Sequence, residues 1–108
     1  MTLNAAFPEA SHFVIDRIEG FIFRVPAPRP VQMSFDIMRE RPALFVRVTD
    51  TDGAEGWGEI WCNFPACGAE HRANLLDTVF HDMLKGRTVT RPSAVWTELT
   101  SRTEVLAI

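Results

Sequence analysis

Several residue types that particular chemistries require are scarce in this sequence. Lysine occurs once, as Lys85, and the 108 residues contain only two cysteines, Cys62 and Cys67. Two cysteines are too few for a disulfide framework, and a chain of this length can fold without one. The 11 basic residues are outnumbered by 14 acidic ones, so the chain lacks the basic surface of a nucleic-acid binder. We therefore expect no nucleic-acid partner and a reducing, cytoplasmic location.

Long apolar runs are also missing. Residues 1–11 lack the basic start and the continuous apolar stretch of a signal peptide, and no later segment approaches the roughly 20 apolar residues that span a bilayer. We expect no membrane partner, and we expect residues 1–12 to form a flexible tail. The composition of the whole sequence, 46% hydrophobic and 23% charged, is that of one globular domain.

Familiar catalytic motifs are absent. Gly56-x-Gly58 lacks the third glycine of a dinucleotide-binding fingerprint, because that position is Trp61 and no helix is predicted to begin there. The chain has no phosphate-binding Walker sequence and no Gly-x-Ser-x-Gly elbow. Glu55 and Glu59 would lie about 13 Å apart along a strand, farther than the paired carboxylates of glycosidases.

A zinc site is a weak alternative. Cys62, Cys67, His71 and His81 supply the ligand types of a Cys2His2 site. The two histidines are ten positions apart, or about 15 Å along one helix, which is too far for a single metal ion. Stoichiometric zinc in a metal analysis would be needed to support this hypothesis.

The hydrophobic pattern changes from strands to helices near the middle of the chain. Alternating residues predict strands at residues 13–25, 42–49 and 55–61. The Asp50-Thr51-Asp52-Gly53 segment predicts the turn of an antiparallel hairpin between the second and third strands. Pro26, Pro28 and Pro30 predict that the first strand ends and that a long loop runs from Pro26 to about Arg41.

A second loop, residues 62–68, separates the strands from the helices. The apolar spacing of Leu76, Val79, Phe80, Met83 and Leu84 predicts a helix that ends at Gly86, and a further helix follows Pro92. Both predicted loops carry apolar side chains, which would be exposed unless the loops close over something. The chain ends on four apolar residues, 105–108, with no helix stop signal, and we expect it to be cut from a longer protein.

The order of these features resembles a known family. The segments that carry the resemblance are Ile18-Glu19, Arg29-Pro30, Leu44-Phe45-Val46-Arg47-Val48, the Asp-Gly turn, Gly56-Trp57-Gly58-Glu59 and Leu84-Lys85-Gly86-Arg87. Together they resemble the N-terminal capping domain of the mandelate racemase and muconate lactonizing enzyme group of the enolase superfamily. The resemblance implies an α+β fold for residues 13–108, in which a three-stranded antiparallel sheet (a meander) is followed by a small helical bundle.

In that family the capping domain covers a β/α barrel that carries the catalytic groups. The resemblance therefore implies a missing C-terminal barrel domain, which would bind Mg²⁺ and remove a proton next to a carboxylate, as in a racemase, cycloisomerase or acid dehydratase. This chain has no Lys-x-Lys segment, so we expect no catalytic residue, metal or cofactor on it. We expect a small carboxylate substrate and a homo-oligomer.

The same resemblance implies that two loops, about residues 28–38 and 61–68, form a lid over the barrel mouth. The residues expected to contact substrate and set specificity are Met33, Phe35, Trp61, Asn63 and Phe64. The alternative is a stand-alone, non-catalytic module that has the same fold and uses the two loops to bind a ligand or another protein.

Overall fold

The computed structural model of the protein describes residues 12–32 and 37–104. It contains four strands, β1 (Phe13–Gln32), β2 (Ile37–Asp50), β3 (Glu55–Ile60) and β4 (Thr88–Val89). The helical part comprises α1 (Gly68–Leu75), a π-helical segment (Leu76–Phe80), α2 (His81–Leu84) and α3 (Pro92–Arg102). The predicted tail apart from His12, the site candidates Met33 and Phe35, and the apolar residues 105–108 lie outside the described residues.

The strands form one antiparallel sheet in the order β3-β2-β1-β4. This arrangement confirms the predicted α+β class and the strand meander, and the structure adds a fourth strand. In β4, Thr88 and Val89 pair with Val14 and Phe13 at the start of β1. A two-residue strand is too short to show an alternating pattern, so only the tertiary contact reveals it.

The prediction that Pro26 ends the first strand, and that a long loop follows it, is wrong. β1 continues to Gln32, and β2 already begins at Ile37. The register changes between Pro26, which is opposite Glu40, and Val31, which is opposite Met38, so the intervening residues form a bulge. Prolines are tolerated at bulges and edges because their missing N–H groups break no ladder hydrogen bond there. Within residues 12–32 and 37–104, β1 pairs with β4 only at Phe13 and Val14, so the edge of its proline-containing half has no strand partner in that part of the chain.

The predicted hairpin turn between β2 and β3 is confirmed. One carboxylate oxygen of Asp50 accepts hydrogen bonds from the backbone N–H groups of Asp52, at 2.9 Å, and Ala54, at 2.8 Å. Gly53 has a φ of 90°, which an L side chain rarely adopts. The third strand ends one residue earlier than predicted, at Ile60.

The helices cover one face of the sheet, which we call the inner face. The helical residues from Gly68 to Leu84 are continuous, and Gly86 follows with a φ of 81°, which confirms the predicted helix stop. The main core consists of buried residues from the sheet and the helices, namely Ile15, Ile18, Leu76, Leu84 and Val89, with Val95 and Leu99 of α3 packed against them. A second, smaller core of Leu44, Cys62 and Ala69 fixes the start of the loop that follows β3.

Candidate functional site

A cleft lies where the segment after β3 meets the proline-containing end of the β1–β2 hairpin. Its volume is about 220 Å³. Three elements provide its walls: β1, the first residues of β2, and the loop before α1. The lining residues are Arg24, Ile37, Met38, Arg39, Glu40, Pro42, Asn63, Phe64 and Ala66. Apolar side chains and convergent polar groups therefore meet in one concave site, which is the usual composition of a ligand-binding cleft.

Arg24 connects the three walls of this cleft. Its guanidinium donates a hydrogen bond to Glu70 in the first turn of α1 and lies 3.7 Å from a carboxylate oxygen of Glu40 on β2. It also lies 3.4 Å from the backbone carbonyl oxygen of Ala66, which accepts a hydrogen bond from it. One side chain thus joins a strand of the hairpin, its neighbouring strand, the loop and the helix.

The Arg24–Glu70 pair changes the acid–base properties of both partners. The hydrogen bond from Arg24 lowers the pKa of Glu70 below its ordinary value, and the same bond raises the pKa of Arg24. Each group therefore stays ionised over a wider pH range than in water. The charge of Arg24 is balanced by its carboxylate neighbours, so its role in this geometry is to hold the walls together.

Sequence reasoning missed Arg24, although a signal was present. On β1, the residues that share a face with Arg24 are Ile18, Gly20 and Ile22, so Arg24 is a charged residue on the inner, helix-covered side. A charge on such a face needs a partner. The partner, Glu70, is 46 positions away, and no local pattern could identify it.

The loop before α1 is positioned by a buried cysteine. Cys62 is almost completely buried against Leu44 and Ala69, whereas Cys67 is exposed. The backbone N–H of Gly68 donates a 2.7 Å hydrogen bond to the carbonyl oxygen of Pro65 and closes the loop just before the helix. These contacts place Asn63 and Phe64 at the cleft.

The structure brings together two of the five predicted site residues. Asn63 and Phe64 line the cleft. Trp61 lies outside the cleft lining and is 62% exposed, and its ring lies 5.5 Å from the guanidinium carbon of Arg72. Met33 and Phe35 lie outside the described residues, but Gln32 and Ile37, which flank their segment, form a cross-strand pair.

Metal-binding clusters and membrane-spanning helices are both missing from the described residues. Within 12–32 and 37–104, no three His, Cys, Asp or Glu side chains are close enough together to bind a metal ion. The residues present in that part of the chain therefore do not fit a Mg²⁺ or a Cys2His2 zinc site. None of the helices in the same ranges is both long enough and apolar enough to cross a bilayer.

The fold is of the α+β class, and comparison with known proteins assigns the family. Residues 17–106 match the N-terminal domain of the mandelate racemase / muconate lactonizing enzyme family. The chain belongs to this family. A search of curated proteins found no match.

Solved structures agree with this assignment. A mandelate racemase/muconate lactonizing enzyme from Bordetella bronchiseptica RB50 is 43% identical, with a TM-score of 0.74 over 90% of this chain and 24% of its own. Muconate lactonizing enzyme from Pseudomonas fluorescens, complexed with muconolactone, is 23% identical, with a TM-score of 0.60 over 69% of this chain and 21% of its own. An enolase from the alphaproteobacterium BAL199, with bound magnesium, is 14% identical, with a TM-score of 0.73 over 89% of this chain and 25% of its own.

The two structures with low identity show the shared fold only. In all three comparisons the chain spans about a quarter of the solved protein's length or less.

Proposed function

We propose that this chain is the substrate-specificity lid of an enolase-superfamily enzyme and has no turnover by itself. The barrel that completes the site would be a separate C-terminal domain. The reaction would be removal of a proton next to the carboxylate of a small organic acid, in a racemase, cycloisomerase or acid dehydratase. Such a protein would act in the cytoplasm.

The observation that carries this proposal is the cleft together with the family match. The family domain accounts for residues 17–106. Five of the residues that line the cleft, Ile37, Met38, Asn63, Phe64 and Ala66, belong to the two segments that the resemblance assigns to the lid. A Bordetella relative with 43% identity is about four times as long as the matched region.

Asn63 and Phe64 have distinct roles in this proposal. The Asn63 amide offers hydrogen bonds to a polar group of the substrate, and the Phe64 ring, which is only partly exposed, packs against an apolar part and excludes water. Trp61 lies outside the cleft lining and Met33 and Phe35 lie outside the described residues, so their contacts with substrate stay predictions. Mg²⁺ bound by the barrel would stabilise the negative charge that develops on the substrate carboxylate.

The test uses the protein expressed from its complete gene. It is incubated in D₂O with Mg²⁺ and a panel of small carboxylic acids, and exchange of the hydrogen next to the carboxylate is followed by NMR. We expect exchange with at least one acid. For that acid and an analogue changed at the far end, Phe64→Ala should alter the ratio of the two kcat/KM values by roughly 10-fold, because a pocket contact is lost.

Trp96→Ser serves as the matched control, since Trp96 is an exposed aromatic residue on α3, away from the cleft lining. This variant should leave the ratio unchanged. If Asn63→Ala and Phe64→Ala both leave the ratio unchanged, these residues do not set specificity. If a carboxylic acid binds but no acid exchanges its hydrogen, the stand-alone binding module is the better interpretation.

A further inference from the structure

Two neighbouring contacts attach the loop before α1 to the inner face of the sheet. The first is the smaller core, whose Leu44 lies opposite Ile22 of β1. The second is polar and belongs to Arg24, the next residue of β1 on the same face. Arg24 donates hydrogen bonds to Glu70 in α1 and to the carbonyl oxygen of Ala66 in the loop. The proposed function uses the loop, but it gives this polar contact no part in the choice of substrate.

The charges around Arg24 suit a residue that holds the loop rather than one that binds a substrate anion. Its guanidinium lies beside two carboxylates, that of Glu70 within hydrogen-bond distance and that of Glu40 at 3.7 Å. One positive charge and two negative ones do not attract a further anionic group. The hydrogen bond to Glu70 joins two ionised groups, which is the stronger kind of side-chain hydrogen bond.

The contacts of Arg24 reach the two loop side chains that line the cleft. Asn63 and Phe64 lie between Cys62, which the smaller core buries, and Ala66, whose carbonyl oxygen accepts the hydrogen bond from Arg24. Apolar packing therefore holds one end of this short segment, and Arg24 holds the other. Loss of Arg24 would release the second end while the first stays packed.

We propose that Arg24 is a positioning residue for substrate specificity. Through Glu70 and the carbonyl oxygen of Ala66, it sets the distance between the loop and the β1–β2 hairpin. That distance places Asn63 and Phe64 against the far end of the substrate. A displacement of about 1 Å is enough to weaken such a positioned contact. The inference rests on the proposed function, because only a protein that acts on a substrate can select one.

Glu70 distinguishes positioning by Arg24 from direct binding by Arg24. Glu70 holds the guanidinium but lies outside the cleft lining. If Arg24 positions the loop, Glu70→Gln should reproduce the effect of Arg24→Gln, because it removes the charge of the partner and keeps its shape. If Arg24 binds a substrate anion instead, Glu70→Gln should preserve or strengthen substrate binding, because the guanidinium loses a competing carboxylate.

The experiment uses the protein expressed from its complete gene, with Mg²⁺, the carboxylic acid that exchanges its hydrogen and the analogue changed at the far end. Arg24→Gln and Glu70→Gln should each lower the ratio of the two kcat/KM values roughly 5-fold, the factor expected for one lost hydrogen bond. The double variant should be no worse than either single one, since both remove the same contact.

The kinetic constants separate positioning from a loss of stability. The KM of the preferred acid should rise by most of this factor, with a smaller change in kcat, because the weakened contacts are made to a part of the substrate that does not react. A variant that is only less stable would lower the apparent kcat through its folded fraction and leave KM unchanged.

The reactivity of Cys62 reports the position of the loop without any substrate. Cys62 is 1% exposed, whereas Cys67, at the other end of the loop, is exposed. A thiol reagent should therefore modify Cys67 at once and Cys62 only when the loop opens. Arg24→Gln should speed the modification of Cys62 roughly 5-fold and leave that of Cys67 unchanged, as measured by mass spectrometry of the peptide that contains both thiols.

Arg87→Gln is the matched control. Arg87 donates hydrogen bonds to the carboxylate of Glu98 on α3, and neither residue lines the cleft. This variant loses the same kind of ion pair at a distance from the loop. It should change neither the kcat/KM ratio nor the rate of modification at Cys62.

Three results would overturn the inference while the proposed function stands. The first is an unchanged ratio in Arg24→Gln where Phe64→Ala still alters it. The second is an altered ratio in Arg24→Gln with an unchanged one in Glu70→Gln, because Arg24 would then bind the substrate itself. The third is an unchanged rate at Cys62 in Arg24→Gln. If no acid exchanges its hydrogen in the wild-type protein, the proposed function fails and this inference fails with it.

Discussion

The close approach of the helical layer to the sheet at Gly20 leads to a quantitative prediction. A Cβ atom at this position would lie 3.1 Å from a methyl carbon of Leu76 and 3.3 Å from a methyl carbon of Leu44. Ordinary carbon–carbon contacts are about 3.5–4.0 Å. Leu44 and Leu76 are both buried, so their methyl groups have little room to move away. Gly20→Ala should therefore strain the packing between β1 and the π-helical segment.

The magnitude follows from two opposing terms. Forcing an extra carbon into a packed region costs about 1–3 kcal/mol. Alanine restricts the unfolded chain more than glycine does, which stabilises the folded state by about 0.4–1 kcal/mol. The net expectation for Gly20→Ala is a loss of about 1 kcal/mol in the free energy of unfolding.

Gly56 provides a matched control on the same face of the same sheet. A Cβ atom built there has no neighbour within 4 Å, so only the favourable backbone term applies. Gly56→Ala should raise the free energy of unfolding by about 0.4–1 kcal/mol. Since the backbone term is common to both variants, the difference between them isolates the steric cost at Gly20.

Unfolding in urea, monitored by circular dichroism, measures the difference in the free energy of unfolding between the two variants. The urea midpoint of Gly20→Ala should fall below that of the wild-type protein, and that of Gly56→Ala should rise, with the denaturant slope unchanged in both. If Gly20→Ala is as stable as Gly56→Ala, the helical layer can shift without cost and the argument from close packing is wrong.

Two further predictions concern polar groups. The hydroxyl of Thr49 is buried and has no hydrogen-bond partner among the described residues. Thr49→Val replaces this hydroxyl with a methyl group in a side chain of the same shape, so it should raise the free energy of unfolding by about 1 kcal/mol. A lower urea midpoint for the variant would contradict this. The pKa of Glu70 is below its ordinary value of 4.5 because Arg24 donates a hydrogen bond to it. The stability from this pair is therefore complete above about pH 4.5 and is lost as the pH falls through the lowered pKa. Arg24→Gln should make the urea midpoint fall less steeply on acidification than in the wild-type protein; an identical fall would show that the pair does not contribute.

Local features of the chain were predictable because the residues that determine them are adjacent. Asp50 and Gly53 specify the hairpin turn through side-chain hydrogen bonds to nearby N–H groups and a positive φ. Gly86 ends the helix for a similar reason. The motif order was sufficient to predict the family. Two of the site candidates, Asn63 and Phe64, lie in the loop that follows β3 and line the cleft, and their part in substrate specificity stays a prediction.

The tertiary structure decided the features that depend on distant residues. Whether Pro26 ends a strand depends on whether a neighbouring strand needs its missing N–H. In the described part of the chain, β1 has an unpaired edge and a bulge there, and both remove the need. Arg24 belongs to the cleft only because Glu70 and Glu40 meet it in space, and Trp61 lies outside the cleft lining. The sequence by itself thus determined the turns, the helix end and the family, because these rest on neighbouring residues. The extent of the sheet and the walls of the cleft come from contacts between residues far apart in the chain.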